Sequence, residues 1–375
     1  MVRHHGPAFI PAVGPAGAVT ALGGRAARRP ALTVGRPAVG VARPTPSRPA
    51  AARWTASAPN GASPPPPSPP TPTAIRLITC DCDGTLLNAA CSTSATNIAA
   101  VRAAMAAGIL FVPATGKSRY GALAALGDLG DDLRAAYPNG VPGVYLQGLN
   151  VFGDDGSMVY EHTVTPKLAR AIVAEARAVN SSLIAYSGDR ILCETADEFT
   201  DLLPTYAEPV PEVVGTWESV LDTVPLNKFI YLGSADHITA LRPAVEEAVG
   251  AEATITQALP DMLEVLPPGA SKGDGVRRLL KGAFGGVDPA AVMALGDAEN
   301  DISMFRLVGT SVAVANALPA LKIIATAVTE RTNVEDGVAE AIHTFILDPL
   351  AKKGGNGVEA GDAESLRAPS PAAGG

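Results

Sequence analysis

The chain has 375 residues and a formal net charge of −8, with 47% apolar and 18% charged residues, a length that usually exceeds one compact core. The charge is unevenly placed: residues 1–73 hold 16 of the 33 prolines, eight arginines and no lysine or acid, whereas residues 74–375 hold 21 basic and 37 acidic side chains, a net −16. An acidic body argues against nonspecific nucleic-acid binding, which needs clustered lysine and arginine, and no run of 18 or more strongly apolar residues exists to span a membrane.

Residues 1–73 read as an organelle transit peptide followed by a proline-rich linker: arginine without acids, many small residues, and no stretch able to bury a core. Pro7, Pro11, Pro15, Gly14 and Gly17 interrupt the apolar run that a secretory signal would need. Prolines 64–67 lie in a tract that reads as an extended spacer. Composition leaves chloroplast and mitochondrion both open. Residues 351–375, rich in Gly, Ala and Pro, read as a disordered tail. The four cysteines, Cys80, Cys82, Cys91 and Cys193, have neither the pairing of a metal site nor the density of a disulfide scaffold, which fits a reducing compartment.

The body alternates apolar runs with helical patterns. Residues 74–80 (AIRLITC) predict a buried parallel strand that stops at the turn DCDGT. Residues 92–94 offer caps for an alanine-rich helix over 95–107, ended by Gly108. A strand over 109–114, the pair Thr115-Gly116 and a helix from about Ser118 come next, then a strand over 143–147 and a hairpin over 150–164 turning at Asp154-Asp155-Gly156. Ser271 caps a helix over 272–281, and a strand over 291–295 leads into a helix over 298–307. Such alternation predicts an α/β fold with a Rossmann-like parallel sheet and right-handed crossovers, its catalytic groups at the carboxyl ends of the strands.

Four polar clusters fall at those positions: Asp81-Cys82-Asp83-Gly84-Thr85, Thr115-Gly116, Lys272, and Gly296-Asp297-Ala298-Glu299-Asn300-Asp301. Taken singly, Asp83-Gly84 is a turn, Thr115 a helix cap, Lys272 a surface lysine and Asp301 a first-turn acid. A lysine in a helix's first turn opposes the macrodipole, however, and an anion in front of it would account for its place. Phosphoryl transfer to a carboxylate unites the four. Nucleophile and phosphate repel one another, so a divalent cation must bridge them and fixed donors must hold the phosphoryl oxygens. Asp81, Asp83 and Asp297 can supply the hard oxygen ligands that Mg2+ prefers.

On these residues the body resembles the haloacid dehalogenase (HAD) superfamily in its Cof-type phosphatase branch. The matching strings are ITCDCDGTLLN at 78–88, FVPATGKSR at 111–119, DMLEVLPPGASKGDGV at 261–276, ALGDAENDISM at 294–304 and NVEDGVAEAI at 333–342, in the family's order. More narrowly, the body is similar to the HAD domain that plant chloroplast proteins carry fused to a YbeY-type endoribonuclease. The histidine triad of the ribonuclease half is missing, since the histidines are His4, His5, His162, His237 and His343. The resemblance implies that Asp81 is the nucleophile and Asp83 the general acid and base. It implies phosphate binding by Thr115, Gly116, Lys272 and Asn300, a Mg2+ site of Asp81, Asp83 (through its carbonyl) and Asp297, and a supporting role for Asp301.

The same likeness implies a HAD core over 74–164 and 258–350 with an αβ cap inserted at 165–257, because the stretch between the second and third clusters is far too long for a crossover. Helices over 167–179 and 240–249 and strands over 182–186 and 229–232 fit such a cap. Lys117 stands where many members have arginine, and Gln147-Gly148-Leu149 where they have Asn-Gly-Ala. Both places lie near the cap junction and bear on substrate choice rather than on chemistry. The expectation is therefore a Mg2+-dependent phosphatase of a small phosphorylated metabolite in the chloroplast stroma, with no nucleic-acid or membrane partner. A phosphotransferase or mutase of the same superfamily and a non-catalytic plastid scaffold are the alternatives.

Overall fold

A computed structural model describes residues 74–354; the leader, the proline tract and residues 355–375 lie outside the described residues. β1 (Leu77–Cys80) is buried along its whole length, as a central parallel strand must be. It pairs in parallel with β2 (Leu110–Pro113), from Leu77 opposite Leu110 to Cys80 opposite Pro113. The crossover between them contains α1 (Ala95–Ala106), whose first turn is capped by the Ser94 hydroxyl accepting from the Asn97 amide. After β2 the chain passes through α2 (Arg119–Ala125) and α3 (Asp128–Ala136).

β3 (Gly143–Tyr145), β4 (Asn150–Phe152) and β5 (Met158–Glu161) then form a small antiparallel sheet. Between β3 and β4, Leu146, Gln147 and Gly148 all take positive φ, at 48°, 61° and 94°. That conformation is cheap only for glycine. At Gly148 an added Cβ would also run into the Ser271 carbonyl, whose carbon would lie 2.9 Å away.

A second layer follows. α4 (Pro166–Ala178) leads into β6 (Ser182–Ser187), β7 (Arg190–Cys193), β8 (Glu212–Val213) and β9 (Lys228–Leu232). α5 (Ala235–Val249), β10 (Thr254–Thr256) and β11 (Met262–Leu266) complete a six-stranded sheet in the order β10-β11-β9-β6-β7-β8. Strand alternation divides its side chains. Leu183, Ala185, Phe229, Tyr231, Leu263 and Val265 join the core made with α4 and α5. The intervening residues Tyr186, Lys228, Ile230 and Glu264 line a cavity with Asp81 and Asp83 instead. The sheet runs to Leu266, so the boundary expected at residue 257 falls inside it: β11 pairs with β9 from Met262 opposite Leu232 to Val265 opposite Phe229.

α6 (Lys272–Gly282) begins at Ser271, whose hydroxyl accepts from the Asp274 amide. β12 (Val292–Gly296) lies parallel to β1 on the edge opposite β2, followed by β13 (Thr310–Ala313) and β14 (Ala327–Val328), which gives a five-stranded parallel sheet ordered β14-β13-β12-β1-β2. The helix expected over 298–307 is a 3-10 turn, Glu299–Asp301, followed by the short α7 (Ile302–Phe305). The Asp301 carboxylate folds back onto the amides of Asp297 and Ala298 and tightens this turn. A last helix, Asp348–Gly354, carries order past residue 351, where the disordered tail was expected to begin. Among the described residues no helix is long and apolar enough to cross a membrane.

The Gln147-Gly148 turn is thus wedged against the start of α6. Gly148→Ala is expected to lower stability by about 1–3 kcal/mol through backbone strain and the added contact, as read by urea unfolding; an unchanged midpoint would show that the turn yields freely.

Candidate active site

β2, β1 and β12 are neighbours running the same way, so the residues that follow them emerge at one edge of the sheet. Asp81 directly follows β1 and is buried, and Lys272, at the first position of α6, is completely buried. Its Nζ donates to Asp81 Oδ1 at 2.5 Å and to Asp301 Oδ1 at 2.8 Å. The other Asp301 oxygen accepts from the amides of Asp297 at 2.9 Å and Ala298 at 3.0 Å. Asp301 is therefore fully engaged with Lys272 and the loop. Asp297 Oδ1 accepts from the Thr85 hydroxyl at 2.8 Å. Gly84, at φ 74°, lets the loop pass beside this acid, since a Cβ there would sit 2.5 Å from Asp297 Oδ2.

Asp81, Asp297 and Asp301 each offer a carboxylate oxygen within 4.8 Å of the others. Against three acids, Lys272 is the one cation bonded to the group among the described residues. Burial pushes the Asp81 carboxyl well above the usual range, partly opposed by Lys272 and reinforced by Asp301 and Asp297. Burial, then Asp301, pushes Asp297 up to about 7. For Lys272, burial works against the charge, but Asp301 and Asp81 outweigh it and hold the ammonium protonated. An oxygen-only donor set with surplus negative charge fits a divalent cation.

The Asp83 carboxylate stands apart from this cluster, with Oδ1 3.2 Å from Lys117 Nζ. Lys117 also donates to the Tyr206 carbonyl at 2.6 Å and lies 3.8 Å from Glu208 Oε1. Burial works against the charge on this lysine, but Asp83 and Glu208 outweigh it and its pKa is raised. Glu208 is itself buried, which pushes it up to about 7, and its Oε2 has no hydrogen-bond partner. Thr115 is buried and its hydroxyl accepts from the Lys117 amide at 3.1 Å. Asn300 donates to Gln147 Oε1 at 3.2 Å, leaving its own Oδ1 buried without a partner, and it lines the cavity above Asp81.

That cavity, about 50 Å³, lies between the two large sheets; Gly116, Lys117, Tyr206, Lys228 and Met262 are among its walls. A larger one of about 440 Å³ lies beside Arg177, Glu194 and Trp217 and contains none of the four clusters. Arg242 of α5 forks onto Glu299, both contacts at 3.1 Å. The motif reading gives no role to Glu208, Lys228, Glu264 or Arg242, although Glu264 lies within the string at 261–276. Each sits in the long insertion, where no spacing rule links a residue to the first loop. Lys117 and Gln147 it marked only as departures.

A parallel α/β core bearing a paired-aspartate loop, a buried lysine and an acidic loop on adjacent strands, under a second αβ layer, defines a hydrolase of the HAD type. Residues 78–342 match the haloacid dehalogenase-like hydrolase family, and the chain belongs to it, in the Cof-type phosphatase branch. The chain is 38% identical over 273 residues, 72% of its length, to the chloroplastic endoribonuclease YBEY of Arabidopsis thaliana, of which it spans 46%, about half. It is 27% identical over 301 residues to the 5-amino-6-(5-phospho-D-ribitylamino)uracil phosphatase YwtE of Bacillus subtilis (strain 168), covering 74% of this chain and 100% of that one. The crystal structure of a haloacid dehalogenase-like hydrolase from Bacteroides thetaiotaomicron shares 27% identity at a TM-score of 0.63, over 72% of this chain and 99% of that one.

Without a divalent cation, folded Asp297 keeps its proton up to about pH 7, whereas an unfolded aspartate loses it near 4. A raised folded pKa contributes stability below the unfolded value that is lost as the pH rises through the folded one. In chelator the melting temperature is therefore expected to fall between pH 5 and pH 8. Magnesium chloride should restore more of it at pH 8 than at pH 5, and an equal effect at both would contradict the cation site.

Proposed function

We propose that this chain is a Mg2+-dependent phosphatase that hydrolyses a small phosphomonoester through an aspartyl-phosphate on Asp81. The observation that carries the reading is the placement of Asp81, buried at the end of the central strand, bonded to Lys272 at 2.5 Å and facing the same cavity as Asp83. The Asp81 and Asp297 carboxylates with the Asp83 carbonyl would hold Mg2+, which when bound offsets the charge gathered by carboxylate and phosphoryl oxygens.

Asp81 attacks phosphorus and the ester oxygen leaves. Lys272, the Thr115 hydroxyl and the backbone amides near Gly84 and Gly116 hold the phosphoryl oxygens, and Asn300 adds its side chain from the loop after β12. Asp83 gives its proton to the leaving oxygen and then takes one from the water that splits the phosphoenzyme. The six-stranded layer, over 165–266, acts as a cap that closes the cavity to bulk water and reads the leaving group. An acid-free, arginine-bearing leader and a chloroplastic relative support the plastid stroma as the place of action.

The two aspartates of the first loop separate in a rate assay. Asp81→Asn is expected to form no phosphoenzyme with any ester. Asp83→Asn keeps the nucleophile but loses a proton donor worth about 10²–10⁴-fold. It should slow a sugar or polyol phosphate far more than p-nitrophenyl phosphate in single-turnover phosphoryl transfer, and rapid quench on the aryl ester should show phosphorylated protein accumulating. Phosphorylation of Asp81→Asn, or an equal loss of Asp83→Asn on both esters, would refute these roles.

A further inference from the structure

We infer that Glu264 is a positioning residue for phosphoryl transfer, the centre of a buried relay through which the seated cap sets the loops after β2 and β12. The inference rests on the phosphatase reading above and names residues to which that reading gives no part. On the cavity side of the six-stranded sheet, Lys228 and Glu264 interrupt an otherwise apolar neighbourhood that includes Ile230 and Met262, and they are 1% and 4% exposed. Glu264 Oε2 accepts from Lys228 Nζ at 2.5 Å, and its Oε1 accepts from Gln147 Nε2 at 2.6 Å. Lys228 Nζ also donates to the Gly116 carbonyl at 2.8 Å, and Gln147 Oε1 accepts from Asn300 at 3.2 Å.

The contacts make one continuous chain: Gly116, Lys228, Glu264, Gln147, Asn300. It starts in the loop after β2, rises into the cap, and returns to the loop after β12, and both its ends line the cavity that holds Asp81. Stability is a poor account of it, because an apolar pair of similar volume is often as stable as a buried ion pair or more so. Gln147 moreover keeps a φ of 61°, uncommon for a residue with a side chain, and from there its amide reaches Glu264 and Asn300 together.

The relay acts on a particular peptide group. Lys228 binds the Gly116 carbonyl, while the amide of that same peptide, Lys117 N, donates to the Thr115 hydroxyl. With both ends tied, the plane of the 116–117 peptide is fixed, and with it the orientation of a loop expected to bind phosphoryl oxygens. Gln147 packs so close that a Cβ on Gly116 would lie 2.5 Å from its Nε2. When the cap lifts, Lys228 and Glu264 leave with it. The loop loses its anchor and Gln147 loses the acid that orients it. Cap closure thereby completes the phosphate site as well as covering it.

The test uses the full chain with Mg2+ and p-nitrophenyl phosphate. Glu264→Gln keeps the shape but removes the charge that holds Lys228; kcat is expected to fall about 10²-fold, the cost of a small misplacement of reacting groups, with KM changed only a few-fold. An unchanged kcat overturns the inference. The double variant Lys228→Met with Glu264→Gln removes both charges. A merely structural pair would then regain its melting temperature and its kcat together, whereas a positioning pair recovers the melting temperature while kcat stays low. Recovery of both overturns the inference. A wild-type chain that hydrolyses no ester would sink the phosphatase reading, and the relay is then judged without turnover, from deuterium uptake at residues 115–118 in the ligand-free protein. Faster uptake in Glu264→Gln supports it, and equal uptake overturns it.

Discussion

Three carboxylates at the edge of a parallel sheet, two of them bonded to one buried lysine, are the constraint around which this molecule is arranged. The Lys272 ammonium is paid for in desolvation and survives because Asp301 and Asp81 lie on either side of it, at 2.8 and 2.5 Å. Asp301 in turn is held by the two amides that begin the loop after β12, so the backbone there is committed to a tight 3-10 turn. On the phosphatase reading, the negative charge left over is what a bound cation would offset beside the phosphoryl group.

The second layer answers to the same constraint from above. Its β-strands send alternate residues to opposite faces, and one face needs no chemistry: Leu183, Phe229, Tyr231 and Val265 pack under α4 and α5. The other face meets a charged edge and carries charge itself. Lys228 and Glu264 enter the cavity from neighbouring strands, while Glu208 and the Tyr206 carbonyl approach Lys117 from a loop. Opposite charges thus alternate around Asp83 and Asp81, and a further ion pair, Arg242 with Glu299, joins the two layers outside the cavity lining.

The core was legible because its signals are local. A buried strand followed by DCDGT, a serine cap before Lys272, and an apolar run followed by GDAEND each join a period to a turn, and parallel-sheet topology brings them together without further information. The second layer extends past residue 257 because β11 belongs to it by pairing, while its sequence runs straight into Lys272. The helix expected over 298–307 is shorter because the Asp301 carboxylate takes the amides of Asp297 and Ala298, three and four positions back, and tightens the first turn. Lys228 and Glu264 carry no role in the sequence for a deeper reason, Glu264 even though it lies inside the string at 261–276. A lone lysine or glutamate inside a strand reads as a solvated side chain, and only the register of β9 against β11, together with the left-handed turn at Gln147, makes them neighbours of the site.

The pairing of β1 with β12 also sets an order of assembly. Asp81 and Lys272 are separated by 191 positions in the chain, and Leu77 finds its partner Val292 only after the entire cap has been traversed. Long closures carry an entropic cost that slows folding. During synthesis, β1 therefore emerges with β2 available on one side and its other edge open until the last third of the chain arrives. An insertion whose own core formed first would shorten the loop that must close, by bringing the two halves of the sheet together. In the growing chain the insertion would serve as the clasp that brings Asp81 to Lys272.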